Sequence, residues 1–231
     1  MKSSGAKTKQ NPAIWPQIQS ILNTINHVLI ILIAVFVTIL ARSLDFKDTA
    51  IHMFLTVIGW NFLAAEALMS HYAYNPITRS LSHRNKSRFH GILQLIGGIM
   101  AIWGSLGKIF NTEGEHFTTL HGKLGLIATF SSFASVLGGT VNFFQPKFAH
   151  KVYTPAEIKF RHNLFGILGF AFAMNTVVMG YFTEFFTKHV DADVIPAFAL
   201  ATALVFLLTI IGPVTSLIDK MKYRKAAKQK K

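Results

Sequence analysis

The chain has 231 residues, of which 51% are hydrophobic and only 14% charged, with a mean hydropathy of +0.40; soluble domains carry roughly 25% charged residues, so an ordinary water-soluble fold is excluded. It contains no cysteine, which removes disulfides, thiolate-bound zinc, iron–sulfur clusters and covalent c-type haem. The formal net charge of +13 points either to nucleic acid or to membrane topology, depending on where the basic residues lie.

A membrane-crossing helix needs about 20 mostly apolar residues. Six such stretches follow one another, at roughly 20–41, 52–72, 90–110, 121–144, 162–182 and 194–217, with starts a turn earlier allowed before His52 and His162. The first lacks a small-residue cleavage site and exceeds a signal-peptide core in length, so it is read as a retained helix. Connections are short and polar, as at Asn75-Pro76 and Gln145-Pro146, and period-two alternation is absent. The reading is an all-α membrane protein with six transmembrane helices, helices two to five forming an inner four-helix bundle. It divides into an amino-terminal segment (1–19), a six-helix unit (20–218) and a basic tail (219–231).

The basic residues sort by loop. Lys2, Lys7 and Lys9; Arg79, Arg84, Lys86 and Arg88; Lys147, Lys151, Lys159 and Arg161; and seven from Lys220 to Lys231 fall on one side, 18 of the 23. The opposite loops hold Arg42, Lys47, Lys108 and Lys188, with seven of the ten acids: Asp45, Asp48, Glu113, Glu115, Glu184, Asp191 and Asp193. Lys123 falls inside helix four. The positive-inside rule then places both termini in the cytoplasm. The net charge becomes a topology signal rather than a nucleic-acid one, with the tail free to touch anionic lipid.

His52, His90, His121 and His162 each open one of the four inner helices. Adjacent helices run antiparallel, so His52 and His121 fall near the non-cytoplasmic face, and His90 and His162 near the cytoplasmic one. An imidazole in hydrocarbon is costly unless partnered. Two opposed imidazoles suit a six-coordinate haem iron, whereas tetrahedral zinc needs more ligands. Helical spacing puts Thr56 and Gly59, Gln94 and Gly97, Gly125 and Ala128, and Gly166 and Gly169 on the faces of the four histidines. Small residues at every seventh position give a flat porphyrin a shallow strip, and they equally let membrane helices pack closely.

These residues resemble the cytochrome b561 family, over roughly 45–185. The likeness rests on the four helix-opening histidines, Leu120-His121-Gly122, Glu66-Ala67-Leu68 and Arg88-Phe89-His90; the last suggests the short "domain-containing" branch. The resemblance implies two haem b groups, ligated by His52 with His121 and by His90 with His162. It also implies transmembrane reductase activity that oxidises cytosolic ascorbate and reduces monodehydroascorbate or ferric iron on the lumenal or extracellular side. A homodimer in an endomembrane or vesicle membrane is implied too. Met53 stands where the family often has proline, and Arg84, Lys86 and Arg88 replace a lysine-rich approach to the second ligand.

Arg79, Arg84, Lys86, Arg88, Lys159 and Arg161 surround the cytoplasmic site, as binders of a substrate anion or haem propionates, or as plain topology anchors. Arg88 and Arg161 are the favoured pair, being closest in sequence to ligand histidines. On the other face His116 is a candidate for an acceptor site or a solvated loop residue, and Glu113, Glu115, Asp191 and Asp193 offer hard oxygen ligands or plain loop charge. Glu66, deep in helix two, is either proton-linked or hydrogen-bonded to a neighbouring helix. His27, His71, His83, His150 and His189 are read as non-ligands. The rival readings are a proton- or metal-ion-coupled transporter using Glu66 and the histidines, and a non-catalytic membrane scaffold.

Overall fold

The computed structural model describes residues 14–144 and 152–229. Lys2, Lys7, Lys9, Gln145-Pro146, Lys147, His150, Lys151, Lys230 and Lys231 lie outside the described residues. Among the described residues six helices are long and apolar enough to cross a membrane. They are α1 (Ile14–Ser43), α2 (Thr49–Met69), α3 (His83–Phe110), α4 (Leu120–Phe144), α5 (Pro155–Gly180) and α7 (Ile195–Gln229). A short α6 (Glu184–His189) joins α5 to α7, and its Lys188 pairs with Glu184 at 2.6 Å, one turn away.

The helix starts depart from the hydrophobic runs. His52 and His121 stand near the beginnings of α2 and α4, but His90 and His162 each lie seven residues inside α3 and α5. Caps set these starts. The Ser82 hydroxyl accepts from the Asn85 amide at 3.3 Å. Thr154 and Glu157 form a reciprocal capping box, with Pro155 in the first turn, where its missing N–H costs nothing. At the other end of the chain α7 runs through most of the segment expected as a separate tail. Lys, Arg, Ala and Gln are strong helix formers, and no Gly or Pro interrupts the helix there.

The dry core lies between α1, α2, α5 and α7, around Ile30, Ile33, Val37, Met53, Trp60, Met174, Val177 and Val205. Helix α3 packs on α2 and α4, and α5 packs on α4 and α7. Outward-facing Ile21, Val28, Leu32 and Ile39 on α1, with Phe130, Phe133 and Leu137 on α4, are exposed, as a lipid-facing surface requires. Trp60 donates its indole N–H to Ser132 at 2.9 Å, tying α2 to α4.

Two interruptions shape the spans. Residues Ile58–Ala64 of α2 are wound as a π-helix. Here α2 crosses α3: a Cβ added at Gly59 would lie 2.5 Å from the Gly97 carbonyl oxygen, and one at Gly97 would lie 2.7 Å from that of Gly59. In α7, Pro213 cannot donate to the carbonyl of Thr209. The Tyr72 hydroxyl takes its place, donating to the Thr209 oxygen at 2.6 Å and accepting from the Gly212 amide at 2.8 Å. Burial pushes the Tyr72 phenol up to about 12, so it keeps the proton that this bond needs.

Candidate functional site

The four inner histidines meet in two pairs. His52 faces His121 and His90 faces His162, each with ring centres 6.2 Å apart and ring planes nearly perpendicular. The backbone fixes three of them. His52 Nδ1 lies 2.9 Å from the Gly104 carbonyl oxygen, His90 Nδ1 2.9 Å from that of Ala67, and His121 Nδ1 3.1 Å from that of Thr176. A carbonyl oxygen has no proton to give, so each Nδ1 must be the N–H donor, and Nε2 keeps its lone pair. That tautomer and that kind of anchor are what metal-bound histidines use. His162 differs, because its Nδ1 is buried without a partner.

The spacing has a chemical meaning. An imidazole nitrogen binds a metal at about 2.0 Å and lies about 1.1 Å from its ring centre, so two imidazoles on opposite sides of one metal ion have centres about 6.2 Å apart. Each pair therefore fits one metal atom between its rings, and a pair of imidazoles at this spacing would hold a haem iron. Among the described residues no group of three or more His, Asp or Glu side chains can hold a metal by itself. Glu113, Glu115, Asp191 and Asp193 thus form no such cluster.

The two pairs stand at opposite ends of the spans. Ala67, which anchors His90, follows His52 by fifteen residues, a rise of about 22 Å along α2. The pairs are also arranged alike. His52 and His90 each stand seven residues before a crossing glycine, Gly59 or Gly97, in antiparallel helices.

This arrangement corrects the porphyrin-strip reading of those glycines. Gly59 and Gly97 are filled by each other's backbone, and a Cβ at Gly169 would meet Ser131 on α4 at 3.2 Å. Backbone close approach takes up these positions. The glycines that face the histidines are others. A Cβ at Gly139 would lie 3.3 Å from His162, and one at Gly180 would lie 3.3 Å from His121. Gly166 is open, with nothing within 4 Å, and lines a cavity beside His162.

That cavity, of about 1580 Å³, contains His90 and His162 and opens between α1, α3, α5 and α7. Of the cationic candidates, Arg88 and Lys159 line it. Arg161 instead lies with its guanidinium 4.3 Å from the centre of the Tyr153 ring, in a separate cleft on the other side of His162. Lys86 donates to the Tyr72 carbonyl at 3.3 Å. Arg79 and Arg84 are exposed. His116 is also exposed, with its ring against Phe117 at the far end.

Two groupings escape sequence reasoning: the cluster of His71 and His83, and the identity of the neighbouring-helix partner of Glu66, whose hydrogen bonding the sequence reading did offer. His71 and His83, read as non-ligands, line the cavity, with the His71 ring 5.3 Å from His90 and 5.8 Å from His83. Their grouping follows from the return of the 70–82 connection, which periodicity does not show. Glu66 and His27 are hydrogen-bonded across α1 and α2 at 2.7 Å, with side chains 11% and 7% exposed. His27 falls on the buried face of α1 beside Asn23 and Asn26, a polar run in an apolar helix that was the available signal.

Comparison with known proteins bears on this geometry. The sequence profile of eukaryotic cytochrome b561 matches residues 51–188, more than half of the chain and all four paired histidines. The transmembrane reductase CYB561D2 of mouse (Mus musculus) is 29% identical over 168 residues, covering 71% of this chain and 74% of that protein. Its cattle (Bos taurus) counterpart is 27% identical over 185 residues, with 78% and 82% coverage. The human (Homo sapiens) counterpart is 27% identical over 168 residues, with 71% and 74% coverage. With its six spans and paired histidines, this chain belongs to the eukaryotic cytochrome b561 family.

Proposed function

We propose that this protein is a transmembrane reductase in which His52 with His121, and His90 with His162, each hold one haem b. The observation that carries the reading is the 6.2 Å separation of both imidazole pairs, combined with Nδ1 anchoring that leaves Nε2 for a metal. Family membership implies b-type haem, and the names of the relatives describe transmembrane reductases. A haem bound at each pair would supply a one-electron carrier. The imidazoles of His52, His121, His90 and His162 would hold it, backbone carbonyls fix the tautomers of three of them, and apolar spans surround the pairs.

Ascorbate is the proposed donor, at the His90/His162 end. It is an anion at neutral pH, and Arg88 and Lys159 line the cavity there. Arg84, Lys86, Arg79 and Arg161 add positive charge around it and draw anions toward its mouth. The acceptor, monodehydroascorbate or a ferric chelate, is proposed for the His52/His121 end, where His116 is exposed. Positive-inside bias supports a cytoplasmic location for the first end and for both termini. A homodimer in an endomembrane or vesicle membrane completes the reading.

The test is a visible spectrum of the purified protein, oxidised and then reduced with dithionite, with haem counted per chain. Two haems and reducible Soret and α bands are expected. His121→Ala is expected to lose about half of the haem and leave the second site spectrally intact. A preparation that stays colourless after haem supplementation refutes the proposal and favours the transporter or scaffold. If ascorbate fails to reduce a red protein, and Arg88→Ala behaves like the parent, the donor assignment alone fails.

A further inference from the structure

The His27–Glu66 contact stands apart from the histidine pairs and has unused capacity. Its nitrogen–oxygen distance is 2.7 Å and both side chains are nearly enclosed. His27 Nε2 is buried with no partner. Around it, Asn26 donates to Thr209 on α7 at 2.9 Å while its own Oδ1 is unpartnered. Both polar atoms of the fully buried Asn61 on α2 are also unpartnered. Buried polar atoms without partners are costly in a membrane interior and mark places able to hold water or a proton.

A row of polar residues on α1 leads from the cavity toward this pair. Gln19, Asn23 and His27 follow one another at steps of four residues, which places them in one row along the helix. Gln19 and Asn23 line the cavity that opens at the His90/His162 end, as do Ala64 and Leu68 on either side of Glu66. At its inner end the row reaches the electron-transfer region. Ala67, adjacent to Glu66, supplies the carbonyl that holds His90 Nδ1.

We propose that His27 and Glu66 form a redox-linked proton site, which takes up one proton along the Gln19–Asn23 row when the His90/His162 end gains an electron. The inference rests on the reductase reading above. Before electron arrival, His27 donates Nδ1–H to the Glu66 carboxylate and Nε2 is bare. The electron comes from the reductase's donor, and one proton from water then binds Nε2. The pair changes from one negative charge to neutral, the only new bond is N–H, and reoxidation releases the proton. An added electron in a low-dielectric region is stabilised by such compensation. The other titratable groups around the cavity that the row borders include His71 and Tyr72 in the loop after α2, His83, Arg88 and His90 on α3, Lys159 and His162 on α5, and Asp219, Lys220 and Tyr223 on α7. Among the described residues Glu66 has no lysine or arginine partner.

The test is spectroelectrochemical titration of the purified haem-loaded protein between pH 5.5 and 8.5. The midpoint of the haem retained in His121→Ala is expected to fall with rising pH, approaching the 59 mV per tenfold change in proton concentration of a one-proton, one-electron couple. Glu66→Gln and His27→Gln are each expected to flatten that slope with haem content and reduced spectrum unchanged. A pH-independent midpoint in the protein without either substitution overturns the inference, as does a slope that survives in whichever variant folds. Both results leave the reductase reading intact, whereas absence of haem defeats that reading and this one together.

Discussion

A single methyl group at Gly59 tests whether both histidine pairs depend on one helix crossing. In Gly59→Ala the new Cβ would lie 2.5 Å from the Gly97 oxygen and 2.9 Å from the backbone nitrogen of Ala101. Neither is the end of a flexible side chain, so the backbones themselves must part. Moving from 2.5 Å to an ordinary contact of 3.4 Å requires about 0.9 Å. The hydrogen bonds His52 to Gly104 and His90 to Ala67 both cross this same interface, at 2.9 Å each. An opening of that size stretches them beyond the roughly 3.2 Å limit of a sound N–H···O bond. Overpacking of this kind costs about 1–3 kcal/mol. The assay is haem content per chain and thermal inactivation of the detergent-purified variant, with Gly107→Ala as control because nothing lies within 4 Å of that position. Haem loss from both sites together, with lowered thermal stability, is expected for Gly59→Ala, and parent behaviour for the control. Gly59→Ala with parent haem content and stability refutes the shared-crossing argument.

Tyr72→Phe removes the bonds this hydroxyl makes to the Thr209 carbonyl and the Gly212 amide at the Pro213 break, and a destabilisation of about 1–3 kcal/mol is expected in thermal inactivation. The same bond sets a pH limit. The phenol titrates at 10.0 when unperturbed and about 12 in the fold, so the folded state holds more protons between these values. Stability is therefore expected to fall as pH rises from 10 toward 12, and Tyr72→Phe to lack this component. Thr154→Ala removes the hydroxyl half of the capping box that starts α5, the bond accepted from the Glu157 amide, and leaves the backbone N–H of residue 154 to donate to the Glu157 carboxylate. A loss of about 1 kcal/mol is expected, read as a lower thermal midpoint that Thr154→Ser restores.

How much was legible beforehand follows from which forces act locally. Six spans, their order and the histidine of each inner helix are consequences of hydropathy and spacing, because every backbone polar group in lipid must be satisfied within its own helix. The opposition of His52 to His121 and of His90 to His162 also follows, since alternate helices of an up-and-down bundle run the same way and bring like ends to the same face. The helix starts were less legible, because Ser82, Thr154 and Pro155 act from polar segments outside the apolar runs. The tail was divided from α7 by its charge, although its residues favour helix.

Three matters belong to the tertiary structure alone. In sequence Gly59 and Gly97 read first as a porphyrin strip, with helix packing as the alternative, and only the 2.5 Å approach to a backbone oxygen decides for the crossing. The partner of Glu66 depends on how α1 rotates against α2, which brings His27 to it from 39 positions away. The grouping of His71, His83, Arg88 and Lys159 around one cavity depends on how the connections fold back over the ends of α3 and α5. Hydropathy is summed along one helix and fixes what each span is. Contacts between helices depend on rotation and depth of approach, and these are set by packing complementarity that no single segment carries.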